Sequence, residues 1–154
     1  MILVGVDPGG SGGIAVLEEG QRARAMSFPD SERDVWELVA SIAGDHTKEM
    51  RAVIEKVGSR PGQGVKSMFT FGKNTGFIRA CLVAAEIPFE EVASQKWQKD
   101  VGCPRNTKVD YAQHKRNLVE HAKRLYPGVE VRKETADALL LAEWLRRREN
   151  RGKE

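Results

Sequence analysis

The sequence predicts a mixed β-sheet flanked by helices, on three observations. An apolar, β-branched run opens the chain, two further strand-like runs follow through short glycine-containing turns, and helical and strand patterns alternate from residue 31 onward. Met1 to Val6 is of strand length and stops at Asp7-Pro8-Gly9-Gly10, a turn signal. Gly12 to Leu17 reads as the returning strand, Glu19-Gly20 as the next turn, and Arg22 to Phe28 as a third strand, which makes an antiparallel meander. Ser31 with Asp34 resembles a helix N-cap, and Val35, Leu38, Val39 and Ile42 carry helical spacing to Gly44. Ala52 to Val57 is a short apolar strand, and Gly58 to Gly64 a glycine-rich loop. Met68, Phe71, Ile78 and Leu82 mark a longer helix bearing Gly72 and Gly76. Ile87 to Val92 is a fifth strand. Helices over about Thr107 to Leu125 and Thr135 to Arg148 follow, parted by Pro127-Gly128, so the order is βββ-α-β-α-β-α-α.

At 154 residues with no repeat or linker, one domain over 1–154 is expected, with about 150–154 as a frayed tail. Apolar residues at 40% exclude a disordered chain. No window approaches 18 uninterrupted apolar residues, and the opening lacks a basic n-region, so a soluble cytoplasmic protein is expected, without membrane contact. Cys81 and Cys103 lack CxxC spacing and lie far in sequence from His46, His114 and His121, which disfavours both a disulfide scaffold and a zinc site. The net charge of +3 is unevenly spread: residues 105–154 carry +5 and residues 1–104 carry −2. From Lys56 to Ala85 the chain holds Lys56, Arg60, Lys66, Lys73 and Arg79 and no acid. Such a stretch is either a solvated helix face or a surface for a phosphate backbone.

Four carboxylates stand in apolar surroundings. Asp7 ends the first strand, Glu55 follows Val53-Ile54, and Asp137 lies in the most apolar segment, Ala136 to Ala142. Glu134 precedes Asp137 by three residues, a spacing that puts both acids on one helix face with Cβ atoms about 5–6 Å apart. Each has a structural reading alone: a turn cap for Asp7, a strand end for Glu55, a helix N-terminal acid for Glu134 and Asp137. Together they point to a shared cation, and acids without nearby histidine or thiolate favour Mg²⁺ or Mn²⁺. Lys115 falls on the stripe Tyr111, Leu118, Ala122, Leu125 of its helix, either snorkelling over the core or facing a phosphate, with Lys108 as the competing cation. Gly72 and Gly76 serve either packing within the chain or a dimer interface. Phe71 and Trp97 suit the core, while Phe69, off the main stripe, is the better candidate for stacking on bases.

These residues carry a resemblance. Val4-Gly5-Val6-Asp7-Pro8-Gly9 resembles the first motif of RuvC-like Holliday junction resolvases, members of the RNase H-like nuclease superfamily. Ile54-Glu55 resembles their second motif, and Glu134-Thr135-Ala136-Asp137-Ala138-Leu139-Leu140-Leu141-Ala142 their last. The bacterial enzymes usually carry aspartate where this chain has Glu134. The stretch Trp97 to Pro127 looks more like bacteriophage-type members. The resemblance implies an RNase H-like sheet of order 3-2-1-4-5 with strand 2 antiparallel, and a homodimer acting on four-way DNA junctions in recombination or debranching. It implies two divalent ions held by Asp7, Glu55, Glu134 and Asp137, an auxiliary lysine near them, and ligatable nicks with 5′-phosphate ends. DNA contacts are expected from Lys56, Arg60, Lys66, Phe69, Lys73, Arg79 and Lys108. The competing readings are a nuclease for another branched or hybrid substrate and a catalytically silent junction-binding module. The phosphate loop of actin-like ATPases, superficially echoed by Asp7 to Gly13, belongs to proteins about twice this length.

Overall fold

A computed structural model describes residues 1–58 and 61–152. Arg60, one of the expected DNA contacts, lies outside the described residues, as do Ser59, Lys153 and Glu154. The strands are β1 (Ile2–Asp7), β2 (Gly13–Glu18), β3 (Arg24–Ser27), β4 (Met50–Lys56) and β5 (Phe89–Ala93). The helices are α1 (Glu32–Ala43), α2 (Val65–Ala84), α3 (Ser94–Asp100), α4 (Tyr111–Leu125) and α5 (Ala136–Arg151). One sheet has the order β3-β2-β1-β4-β5, in which β2 runs antiparallel to both neighbours while β4 is parallel to β1 and β5. The mixed sheet, its strand order and the antiparallel second strand are as expected.

Alternation along β1 distributes its side chains to two cores. Ile2, Val4 and Val6 pack with Val35, Val39, Ile78 and Leu82 of α1 and α2 on one face. Leu3 joins Val53, Trp97, Leu118 and Leu139 to Leu141 on the other, under α3, α4 and α5. Gly5 lies on this second face, and α5 rests directly on it. A Cβ there would stand 2.0 Å from the Ala138 carbonyl oxygen and 2.5 Å from the Ala142 nitrogen.

Three expectations are corrected. Helix α3 lies between the expected fifth strand and the helix expected from Thr107, where the sequence predicts no element. Its seven residues make two turns with one buried apolar side chain, Trp97, too few for a periodic signal. Helix α4 starts at Tyr111 rather than Thr107, because Asp110 caps it by accepting from the Gln113 amide, so Lys108 lies in the preceding turn. Tyr111 itself is 63% exposed, and the buried stripe of α4 is His114, Leu118 and Ala122. Helix α5 also runs on to Arg151, into the expected tail.

One buried acid outside the expected four holds the back of the helical layer. Glu143, 1% exposed, accepts from Arg146 at 2.7 and 2.9 Å, from Arg147 at 2.7 Å and from the Tyr126 hydroxyl at 2.5 Å. Burial alone would raise its pKa, but these hydrogen bonds hold it below the ordinary glutamate value. Glu143→Ala strands two guanidinium groups and a phenol, and about 2–4 kcal/mol of stability should be lost in urea denaturation. Because its folded pKa is depressed, the stabilisation is present above the unfolded glutamate pKa. It disappears as pH falls through the folded value, so the variant's deficit should narrow on acidification.

Candidate active site

The last β1–β4 ladder pair is Val6 with Ile54, and Asp7 and Glu55 each stand one residue further along these parallel strands. Asp7 shares its face with Leu3 and Gly5. Glu55 shares its face with Val53 and pairs across the ladder with Val92, both in the core under α5. Parallel neighbours thus present two acids side by side, toward the helix that carries Asp137. Asp7 Oδ1 accepts the Gly9 amide at 3.1 Å, which ties the carboxylate to the turn that begins at Pro8. Burial and the Asp137 charge nevertheless push its pKa up to about 6.

Asp137, 6% exposed, sits in the first turn of α5. Its Oδ2 accepts from the Lys115 ammonium, and its Oδ1 is buried with no hydrogen-bond partner among the described residues. Burial would lower the Lys115 pKa, but Asp137, with Asp7 adding to it, holds the ammonium above its ordinary value. Between the two lysine candidates, it is Lys115 that meets an acid of the expected set. Beside it on α4, buried His114 bonds Gln98 of α3 at 3.0 Å, and burial lowers its pKa.

Glu134 departs from the expected placement. Helix α5 begins only at Ala136, so Glu134 lies half-buried in the turn that leads into it rather than within the helix. The local reason is Thr135, whose hydroxyl accepts the Arg132 amide at 3.0 Å and closes a turn ahead of the helix. This turn packs against β2 at Gly13, the ladder partner of Asp7: a Cβ on Gly13 would stand 2.9 Å from the Glu134 carbonyl oxygen. Asp7, Asp137 and Lys115 are therefore brought together, with Glu55 beside Asp7 in the sheet and Glu134 on the turn packed against Gly13. Among the described residues, no three acids, histidines or cysteines form a ready metal-binding cluster.

The basic residues divide. Lys56, Lys66, Lys73 and Lys108 are exposed, and Phe69 on α2 is 74% exposed. Arg79, in contrast, bonds Glu91 and stacks over the Phe89 ring at 5.7 Å, so it is engaged within the fold. Tyr111 stands one helical turn before Lys115 on α4 and is exposed.

No family model and no curated protein matches the chain. Solved structures do. The Thermus thermophilus RuvC structure superposes with a TM-score of 0.60 at 13% identity, covering 99% of this chain and 97% of that one. T. thermophilus RuvC in complex with Holliday junction substrate gives 0.64 at 13%, covering 99% and 96%. The chain has the RuvC fold. In this chain β1 is central, and α5 lies across it at Gly5. Within this RuvC-like frame, no helix among the described residues is long and apolar enough to cross a membrane.

Proposed function

We propose that the protein is a divalent-metal-dependent endonuclease that resolves four-way DNA junctions. The observation that carries this reading is the juxtaposition of Asp7 and Asp137 at the meeting of β1 and α5. Buried Asp137, bonded to the Lys115 ammonium through Oδ2 and with Oδ1 unbonded among the described residues, stands close enough to half-buried Asp7 for their charges to interact, a donor set suited to a hard cation. Asp7 and Asp137 would hold Mg²⁺ or Mn²⁺, with Glu55 and Glu134 completing the shell of two ions. Such ions supply charge stabilisation and an activated water for in-line phosphodiester hydrolysis. The chain's own residues orient and bind. The Gly9 amide fixes Asp7, while the exposed Lys56, Lys66, Lys73 and Lys108 offer charge to the phosphate backbone.

Symmetric cutting of two strands needs two sites about a dyad, and α2 supports a homodimer. Val65, Phe69, Gly72, Gly76, Ala80 and Val83 fall on one face of α2, all exposed, Val65 at 85%. A Cβ on Gly72 or Gly76 would meet nothing within 4 Å, so packing inside the chain does not explain either glycine. Each costs the helix about 1 kcal/mol relative to alanine, and close approach by the same helix of a second copy accounts for that cost. Gly76→Leu should weaken dimerisation by about tenfold or more in sedimentation while leaving the monomer's melting temperature unchanged or higher.

The test of function is a cleavage panel of four-way junctions, RNA–DNA hybrids, flaps and linear duplex in Mg²⁺ or Mn²⁺. Paired symmetric nicks with 5′-phosphate ends in the junction alone are expected. Cleavage confined to hybrid or flap would replace junction resolution with another substrate. Tight junction binding without cleavage in either metal would leave a silent binding module.

A further inference from the structure

The acidic site already contains a cation. The Lys115 ammonium bonds Asp137 Oδ2, with side-chain exposures of only 16% and 8% for the pair, and its charge also acts on Asp7. Two neighbouring carboxylates removed from water repel each other, and an ammonium between helix and sheet offsets that repulsion. The neutralisation is partial, because Asp137 Oδ1 has no partner among the described residues.

We propose that Lys115 is the resident counter-cation of this site, holding Asp137 in the ion-free protein and competing with the divalent ion for that carboxylate. The inference rests on the reading of Asp7 and Asp137 as ion ligands. An ammonium is a monovalent charge on a flexible four-carbon stem, so it can withdraw along α4. Asp137 would then exchange the ammonium for a divalent ion, with its unbonded Oδ1 available as a further donor. Lys115 therefore sets the affinity of the site for ions, keeping the acids paired and stable when ions are scarce.

The test titrates Mn²⁺ alone into the full chain, follows unbound Mn²⁺ by electron paramagnetic resonance, and runs thermal melts in parallel. Lys115→Met should bind Mn²⁺ about tenfold or more tightly than wild type, since removing a like charge at this range shifts cation affinity as it shifts a pKa. Its ion-free melting temperature should fall, and Mn²⁺ should restore it. Lys115→Arg keeps the charge and should stay near wild type. Unchanged or weaker Mn²⁺ binding by Lys115→Met overturns the proposal, as does a lowered melting temperature that Mn²⁺ does not restore, the mark of a merely structural lysine. If Lys115→Met is unfolded without ions, folding on Mn²⁺ addition supports the proposal and failure to fold at millimolar Mn²⁺ overturns it. Asp7→Asn separates the two levels: wild-type Mn²⁺ affinity in that variant removes Asp7 from the ligand set, whatever Lys115→Met shows.

Discussion

Asp7→Asn should reduce junction cleavage by on the order of 10³-fold while leaving junction affinity within about twofold, because the acid positions ions and the basic surface supplies binding. The same change should stabilise the ion-free protein. The folded pKa of Asp7, about 6, lies above the ordinary aspartate value of 3.8, so the native state binds the extra proton between these values. For an acid raised in this way, stability is highest below the unfolded pKa and is lost as pH rises through the folded one. At pH 8 the ionised carboxylate costs the fold about 1–3 kcal/mol, the upper end being the full shift and the lower end allowing for partial exposure. Asparagine removes that cost. Urea denaturation in a chelator should show the variant more stable than wild type at pH 8, with the gap nearly closed at pH 4. A variant that still cuts, or one no more stable at pH 8, contradicts the assignment. A residue that costs stability where it stands is what a binding site for a cation requires.

Gly5→Ala should cost about 3 kcal/mol or more, above most single overpacking changes. The obstacles to its Cβ are two backbone atoms of α5, at 2.0 and 2.5 Å, and a helix backbone cannot rotate aside as a side chain can. Relief requires α5 to lift from β1. That movement opens the core around Leu139, Leu140 and Leu141 and carries Asp137 away from Asp7. Stability and cleavage should therefore fall together, with cleavage remaining low even at temperatures where the variant is folded. Wild-type stability in the alanine variant would show that the layer has slack the structure does not display.

Much of this architecture was legible because periodicity reports burial. The alternation of β1, β2 and β4 and the helical stripes of α1, α2 and α5 mark which faces are covered. Strand order was not readable from spacing and came from the motif resemblance. What escaped was set by short or tertiary effects. Helix α3 has one apolar core anchor in seven residues, and the Asp110 cap leaves Lys108 outside the helix expected from Thr107. Within the site, Asp7, Glu55 and Asp137 were visible as acids in apolar runs, and Lys115 by its spacing. The turn closed by Thr135 takes Glu134 off the helix, and no three-residue spacing distinguishes a helix from a turn that leads into one. Glu143 escaped because its partners Tyr126 and Arg147 are joined to it only by packing and by the fold of the last helix. The two glycines of α2 had two readings in sequence, and the empty space around them speaks against packing within the chain.

Crystals soaked in Mn²⁺ and measured for anomalous scattering test the central claim most directly. Density for Mn²⁺ bridging the carboxylates of Asp7 and Asp137, with the Lys115 ammonium displaced from Asp137, is the predicted result. Soaked crystals with Asp137 still bonded to Lys115 and Mn²⁺ bound only elsewhere would contradict it.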